Sequence, residues 1–274
     1  MTLVHLNFES KYLNNNTDVN IILPDRPREQ NTKTFYLSGR KYRVLWLLHG
    51  TFGDYTDWIR KSNVELYAAE HQMIVVMPSG LNADYADWPK FGMGYDSYHY
   101  LLNELMPLVH GWFPASDDPK DNFIAGLSMG GRGTLLYALN HPEKFAAAYI
   151  MSYAPSEPQE PVVQDMFTQR RWNQLENAGG LEKFIGSYQD TWNLIVKRKK
   201  EGKLPRLYFA CGTADPLMYE AHTAFEERCR EYGIDAQFFE TEGYAHEWRF
   251  WDECVEDAIT RFSDQAVFDE GAEL

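Results

Sequence analysis

Long apolar runs and cysteines are scarce in this 274-residue sequence. No segment approaches the ~18 consecutive apolar residues of a membrane-spanning helix, so a span is not expected. The chain starts with alternating apolar and polar side chains, as in a strand, and lacks the basic start and apolar block of a secretion signal. The three cysteines, Cys211, Cys229 and Cys254, are odd in number and lack metal-type spacing. We therefore expect reduced core thiols and a cytoplasmic location.

Positive charge is also scarce, with 26 Lys and Arg residues against 40 Asp and Glu residues and a formal net charge of -14. Such a surface repels phosphate backbones and anionic lipids, so neither nucleic acid nor a membrane is expected as a partner. No His-x-His or His-x-x-x-His pair occurs, so we expect no metal site, and no motif indicates a cofactor. Apolar residues, by contrast, make up 44% of the chain and aromatic residues 15%, enough for a large core.

Strand-like and helix-like segments alternate along most of the chain. Three continuously apolar segments are typical of strands covered on both faces of a parallel sheet: Val44–Leu48, Met73–Met77 and Phe123–Leu127. Repeated strand–helix–strand units predict an α/β fold, a doubly wound and mostly parallel sheet with helices on both faces. No linker or repeat divides the sequence, and we expect residues 1–274 to form one domain.

One segment interrupts this alternation. Two predicted core strands are separated by about 50 residues, 155–204, whereas an ordinary crossover needs far fewer. The segment is strongly polar and contains two helix-forming pieces, residues 164–178 and 181–200. Long excursions of this kind are often lids or binding loops. The sequence therefore predicts a helical cap-like insertion over residues 155–204.

A candidate nucleophile lies at the end of the third apolar strand. Residues 126–130 have the Gly-x-Ser-x-Gly pattern, with Ser128 at its centre, and a helix-forming segment follows directly. Glycines permit the strained strand-to-helix turn that exposes the serine hydroxyl above the sheet, and a helix N-terminus favours developing negative charge. The alternative is a tight turn in which Ser128 only caps the helix. In this strand–turn–helix setting, the nucleophile is the favoured interpretation.

A serine nucleophile needs a histidine base, and three histidines follow Ser128. His141 lies at the far end of the helix that Ser128 begins, roughly 20 Å away at ~1.5 Å per residue. His222 falls inside a helix-like segment, as a surface or core residue would. His246 follows the strand-like segment Ala236–Glu240, at the sheet edge where ligands of α/β proteins bind. We therefore assign His246 as the base.

The orienting acid is predicted at Asp215. This residue follows the strand-like segment Leu207–Cys211, so it lies at the same edge of the sheet as His246. The order serine, acid, histidine is that of α/β-hydrolases. Asp190 and Asp252 are the other candidates, but both fall in helix-like segments. A role for Asp215 as an N-cap is compatible with this one, because Pro216 suits the first position of a helix.

When the serine attacks a carbonyl group, the carbonyl oxygen becomes an oxyanion, which backbone N–H groups must stabilise. Met129, at the helix start, supplies one donor, and the loop after Val44–Leu48 should supply the other. We place that second donor at Thr51, with Phe52 as the alternative, while His49 braces the loop through a hydrogen bond.

Aromatic residues in the loop after Met77 are candidate substrate contacts: Tyr85, Trp88, Phe91, Tyr95 and Tyr98. Their rings suit a sugar or a phenolic acid. Ordinary packing under a long loop explains them equally well. Phe52, Trp88 and Tyr95 are the substrate-binding residues that we predict.

Five motifs are spread over most of the chain: residues 47–58 (LLHGTFGDYTDW), 74–78 (IVVMP), 123–131 (FIAGLSMGG), 211–215 (CGTAD) and 246–251 (HEWRFW). In these motifs and in their order, the sequence resembles the putative-esterase family of α/β-hydrolases. That group contains tributyrin esterases, S-formylglutathione hydrolase, and feruloyl and acetylxylan esterases. The likeness is strongest to the bacterial tributyrin-esterase branch. It implies a carboxylesterase with Ser128, Asp215 and His246 as its triad and Thr51 and Met129 as oxyanion donors.

We therefore predict a serine esterase that hydrolyses short-chain acyl esters through an acyl-enzyme. The expected substrate is a small-molecule or oligosaccharide ester, such as an acylated carbohydrate or a plant phenolic ester. The polar composition of the insertion indicates little apolar wall for a long acyl chain. An acyltransferase with the same triad and an S-formylglutathione-type thioesterase are the alternatives. A binding protein on the same fold is disfavoured, because the full set of reactive residues is present. The sequence is compatible with a homo-oligomer.

Overall fold

The computed structural model describes residues 2–264. Ten strands form a large sheet and a small two-stranded ribbon: β1 (Thr2–Ser10), β2 (Asn15–Leu23), β3 (Val44–Leu48), β4 (Ile74–Pro78), β5 (Asp87–Trp88), β6 (Tyr95–Asp96), β7 (Asn122–Leu127), β8 (Ala147–Met151), β9 (Arg206–Gly212) and β10 (Ala236–Thr241). The three continuously apolar segments of the sequence form β3, β4 and β7, all of them fully buried. Their side chains point alternately to two covered faces, which explains the absence of polar alternation.

Helices fill most of the chain between the strands. They are α1 (Thr32–Tyr36), α2 (Asp57–Lys61), α3 (Val64–Glu70), α4 (Ser97–Tyr100), α5 (Met106–Trp112), α6 (Met129–Asn140), α7 (Met166–Ala178), α8 (Leu181–Phe184), α9 (Thr191–Lys200), α10 (Tyr219–Glu231) and α11 (Trp248–Ser263). A π-helical turn, Leu101–Leu105, joins α4 to α5, and a 3-10 turn, Pro119–Asp121, precedes β7. Within residues 2–264, no helix combines the length and apolarity that crossing a bilayer demands.

The large sheet has the strand order β1-β2-β4-β3-β7-β8-β9-β10. The first two pairs, β1 with β2 and β2 with β4, are antiparallel, and the strands from β4 to β10 pair in parallel. The carboxyl ends of β3, β7, β9 and β10 therefore meet at one edge, where loops bind ligands in open α/β sheets. The mostly parallel, doubly wound α/β-hydrolase fold predicted from the sequence is confirmed.

Each face of the sheet has its own apolar core. Helices α5, α6, α9 and α10 pack on one face, and α3 and α11 pack on the other. On α11, side chains spaced by three or four residues, among them Trp251, Val255, Ile259 and Phe262, are buried. Burial of one such side chain stabilises the fold by about 1.5–3 kcal/mol, so this stripe holds α11 against the sheet.

The helices of the insertion differ from their sequence-based prediction at one point. The second predicted helix, residues 181–200, divides into α8 and α9, with Asp190 capping the start of α9. Leu194 and Ile195 of α9 are buried in the main core, where α9 packs against α6. The part that rises over the sheet edge is therefore the segment through α7 and α8. The polar composition of the insertion did not indicate this division, because the α9 side chains that pack on the core are confined to the N-terminal part of the helix: Trp192, Leu194, Ile195 and Val196.

Candidate active site

Ser128 occupies a sharp turn between β7 and α6. Its φ is 51° and its ψ is -112°, a left-handed conformation that is rare for a residue with a side chain. Its backbone N–H donates to the carbonyl of Met151 on β8 at 2.8 Å. A Cβ at Gly126 would lie 2.5 Å from Gly130 O, and a Cβ at Gly130 would lie 2.4 Å from Leu48 O. The turn can therefore form only with glycine at both flanking positions.

His246 and Asp215 come together from the loops after β10 and β9. His246 Nδ1 and Asp215 Oδ2 are 2.8 Å apart, and the Asp215 side chain is fully buried. Its other oxygen accepts hydrogen bonds from the N–H groups of Leu217 and Met218, at 2.9 and 3.1 Å. Burial raises the pKa of Asp215, but the hydrogen bond and charge of His246 and these two N–H groups outweigh it, so the pKa lies below its ordinary value. Asp215 is held as a carboxylate that orients the His246 ring.

A second neighbour, Trp251, also holds the His246 ring in place. Trp251 packs edge-on against the imidazole, with ring centroids 5.0 Å apart, and its indole N–H donates to Ser152 Oγ at 3.0 Å. Ser128 and His246 line the same cavity, but no hydrogen bond joins them within the described residues. Such catalytic contacts often tighten only when substrate is bound.

The two other downstream histidines lie outside the cavity lining that the structure describes. His141 Nε2 is 2.8 Å from the hydroxyl of Tyr98, and His222 is fully buried on α10. The runner-up acids also have other partners. Asp190 accepts from the Gly186 N–H, and Asp252 accepts from the Asn63 N–H.

The loop after β3 brings a second set of backbone donors beside Ser128. Thr51 and Met129 both line the cavity, and neither N–H has a protein acceptor among residues 2–264. The N–H of Phe52 is already engaged, since it donates to Asn82 Oδ1 at 2.8 Å. Of the two predicted alternatives in this loop, Thr51 is therefore the one whose donor is free.

His49 braces the same loop, as its sequence position predicts. Its Nε2 accepts the Gly80 N–H at 2.8 Å, so its Nδ1 carries the proton and donates to Gly50 O at 2.7 Å. Burial lowers the pKa of His49, which keeps the ring neutral and suited to this pair of contacts.

A cavity of about 730 Å³ opens above Ser128 and His246. This volume lies in the usual range for small-molecule sites. The insertion supplies much of the wall, including apolar side chains from α7, α8 and the start of α9: Phe167, Leu175, Phe184 and Trp192. The expectation that a polar insertion offers little apolar wall is therefore wrong. Phe167, Leu175 and Phe184 of helices α7 and α8 reach the cavity although the insertion as a whole is polar.

Trp88 and Tyr95, predicted as substrate contacts, are absent from the described lining of this cavity. They pair across the β5–β6 ribbon, and the Trp88 indole N–H donates to Ala83 O at 2.7 Å. Tyr95 is buried, and both rings pack against the core beneath the loop. That prediction is corrected, because the loop turns both of these side chains inward. Phe52 does line the cavity, with 71% of its surface exposed at the rim.

Sequence reasoning missed a polar cluster on the cavity wall. Arg170 of α7 forms an ion pair with the buried Asp84 and a hydrogen bond with Thr51. Arg132, one turn after Ser128, donates to Asp84 O at 2.8 Å and to Gln189 Oε1 at 3.1 Å. No local pattern could have indicated these contacts, because Arg170 lies 86 residues from Asp84 and 119 from Thr51.

Known proteins are similar to this one over nearly the whole chain. A family model described as "Putative esterase" matches residues 10–261. An acetyl esterase of Caldicellulosiruptor saccharolyticus is 31% identical over 274 residues, which cover 94% of this chain and 97% of that protein. The substrate-bound structure of FphF, a fluorophosphonate-binding serine hydrolase of Staphylococcus aureus, has 28% identity and a TM-score of 0.80, covering 96% of this chain and 99% of its own. The S-formylglutathione hydrolase FrmB of the same organism has 30% identity and a TM-score of 0.77, covering 96% and 100%.

The family match extends from β1 into α11 and thus includes every loop that contributes to the cavity edge of the sheet. The acetyl esterase and the two serine hydrolases are similar over almost their full lengths as well. This protein therefore belongs to the Putative esterase family and is a serine-type carboxylic ester hydrolase with the α/β-hydrolase fold.

Proposed function

We propose that this protein hydrolyses short-chain acyl esters with Ser128 as nucleophile, His246 as general base and acid, and Asp215 as the orienting carboxylate. The observation that carries the proposal is the 2.8 Å contact between His246 Nδ1 and Asp215 Oδ2. It leaves Nε2 of the ring for a serine hydroxyl, and Ser128 lies in the same cavity in a strained strand-to-helix turn.

The reaction follows from these placements. Ser128 Oγ attacks the ester carbonyl while its proton passes to His246 Nε2, and the carbonyl oxygen becomes an oxyanion. The N–H groups of Thr51 and Met129 stabilise this charge. As the ester C–O bond breaks, His246 returns the proton to the leaving alkoxide. Water then attacks the acyl-enzyme by the same route, releasing the acid and restoring Ser128.

The acetyl esterase relative supports a short acyl group. The cavity wall supports an alcohol that carries a ring, because Tyr153 and Trp192 contribute aromatic side chains to it and Gln174 contributes an amide. Acylated carbohydrates and plant phenolic esters both fit this description. A thioester is the second candidate substrate, favoured by the 30% identity to an S-formylglutathione hydrolase. The same three residues would cleave its C–S bond.

The mechanism is tested by Ser128→Ala. We expect kcat for 4-nitrophenyl acetate to fall about 10³-fold or more, since the variant retains only binding and oxyanion stabilisation. The side chain contributes little packing, so the melting curve should match that of the original protein. Labelling by a fluorophosphonate probe should disappear with the activity. Substantial turnover by a normally folded Ser128→Ala protein would contradict the proposal.

The substrate class is tested by 4-nitrophenyl esters from acetate to laurate, together with acetylated xylan, methyl ferulate and S-formylglutathione. We expect kcat/KM to be greatest from acetate to butyrate and to fall for octanoate and longer chains. The proposal of a short acyl group is wrong if laurate is cleaved as efficiently as acetate. In that case the apolar side chains of α7 and α8 would have to line an acyl tunnel.

A further inference from the structure

Arg170 joins the insertion to two loops of the main sheet. Its Nε donates to Asp84 Oδ2 at 2.9 Å, its Nη2 pairs with Asp84 Oδ1, and its Nη1 donates to Thr51 Oγ1 at 2.6 Å. A planar guanidinium can satisfy both partners because its donors form a rigid fork. The Arg170 side chain is 20% exposed and that of Asp84 is 2% exposed. This is a largely buried contact, unlike the exposed ion pairs that contribute little to a structure.

The loop after β3, residues 49–53, is called the Thr51 loop. Its conformation depends on contacts with other segments of the chain. Phe52 has a φ of 64°, a left-handed conformation that persists in a residue with a side chain only where surrounding contacts impose it. Asn82 holds the Phe52 N–H, and Arg170 holds the hydroxyl of the preceding Thr51. The loop is thus fixed from two sides, and one of the two contacts comes from the insertion.

Asp84 anchors Arg170 in its place. Gln174, one turn further along α7, also donates to the Asp84 carboxylate, and the Asp84 backbone carbonyl accepts from Arg132. Arg132 lies on the helix that Ser128 begins. The Thr51 loop, the loop after β4 and the Ser128 helix therefore all meet at the Asp84–Arg170 pair.

We propose that Arg170 is a positioning residue for ester hydrolysis: by holding the Thr51 hydroxyl, it directs the Thr51 N–H toward the oxyanion. The inference rests on the proposed function, in which Thr51 is an oxyanion donor. Through Arg170, the insertion then affects the rate of the chemical step as well as the choice of substrate.

The first test is the steady-state kinetics of full-length Arg170→Gln with 4-nitrophenyl acetate. Removal of an entire oxyanion donor lowers kcat by about 10²–10³-fold, and a misdirected donor should cost less. We expect kcat to fall about 10-fold while KM changes less than about twofold. A trifluoromethyl ketone, whose adduct with Ser128 carries an oxyanion, should bind more weakly by a similar factor. Arg230→Gln removes one charge from an exposed pair with Glu226 and is the matched control with unchanged kinetics.

The second test examines the same contact from the other side. Thr51→Val removes the hydroxyl that accepts from Arg170 but keeps the backbone N–H. If Arg170 acts through this hydroxyl, each single variant lowers kcat by a similar factor, and the double variant is no slower than either. Arg170→Lys retains a positive charge beside Asp84 but cannot span both partners. We expect it to melt like the original protein and still to lose kcat.

Several results would overturn the inference. They are a raised KM with unchanged kcat in Arg170→Gln, multiplicative effects of Arg170→Gln and Thr51→Val, or full activity in Arg170→Lys. If Arg170→Gln does not fold, an unchanged kcat in Thr51→Val overturns it alone. The proposed function fails by a different result, turnover by Ser128→Ala, so the two failures are distinguishable.

Discussion

Single residues at the cavity adopt conformations that their own chemistry disfavours. Ser128, Phe52 and Asp84 all have a positive φ between 51° and 64°. Each such conformation lowers the free energy of unfolding by on the order of 1–3 kcal/mol, and it persists because hydrogen bonds and packing impose it. The Ser128 turn was predictable, since glycines at fixed spacing mark it. Phe52 was not, because phenylalanine rarely has a left-handed backbone. Asp84 was not, because aspartate tolerates this conformation in many turns and marks no particular one.

At the residue scale, His222 gives a prediction about pH and stability. The ring is fully buried, both of its nitrogens lack hydrogen-bond partners among residues 2–264, and burial lowers its pKa to about 4. Between that value and the unfolded pKa of about 6.5, the unfolded chain binds a proton that the folded chain does not. The contribution of neutral His222 to stability is therefore lost progressively as the pH falls below about 6.5.

We expect His222→Leu to be at least as stable as the original protein at pH 8, because no hydrogen bond is lost. At pH 5 its advantage in the free energy of unfolding should be larger by about 2 kcal/mol, since leucine binds no proton in either state. Urea unfolding at the two pH values measures this difference. The same advantage at both pH values would show that burial does not lower the His222 pKa as described.

At the scale of elements, α6 packs very closely against the end of β3 beside the cavity. A Cβ at Gly130 would lie 2.4 Å from the backbone oxygen of Leu48, which cannot move without disturbing the central strand. We expect Gly130→Ala to lower the free energy of unfolding by more than about 3 kcal/mol. Gly111 of α5 is the control, because a Cβ there would meet no atom within 4 Å in the part of the chain that the structure describes. Gly111→Ala should stabilise the protein by up to about 1 kcal/mol. Equal effects in urea unfolding would contradict this account of the turn.

Element prediction succeeded where the sequence pattern is local. Strands β3, β4 and β7 follow from their apolar runs, and α11 follows from its apolar stripe. It failed inside the insertion, where a polar segment divides between a core helix, α9, and the cavity wall. Which face of such a helix is covered depends on what packs against it, and composition does not contain that information.

At the scale of the whole molecule, the net charge of -14 at pH 7 makes copies of the chain repel one another. The sequence pI is about 5.0, so this repulsion disappears near pH 5. We expect solubility to be lowest there and light scattering to rise as the pH falls from 7 toward 5. Added salt should raise scattering at pH 7, where screening weakens the repulsion. Scattering that is constant across this pH range would show that charge does not govern self-association.

The sequence by itself determined the α/β-hydrolase fold and the order of the three residues that we propose as the triad. Apolar periodicity is written in neighbouring positions, and Ser128, Asp215 and His246 each follow a recognisable strand. Parallel strands bring their carboxyl ends to one edge, which is enough to place these three residues near one another. Only the tertiary structure decided which surfaces enclose that edge. It turned Trp88 and Tyr95 into the core, brought apolar side chains of the insertion to the cavity, and joined Arg170 to Asp84 and Thr51. These contacts link residues far apart in the chain, and they arise from the packing of whole elements, which no local pattern specifies.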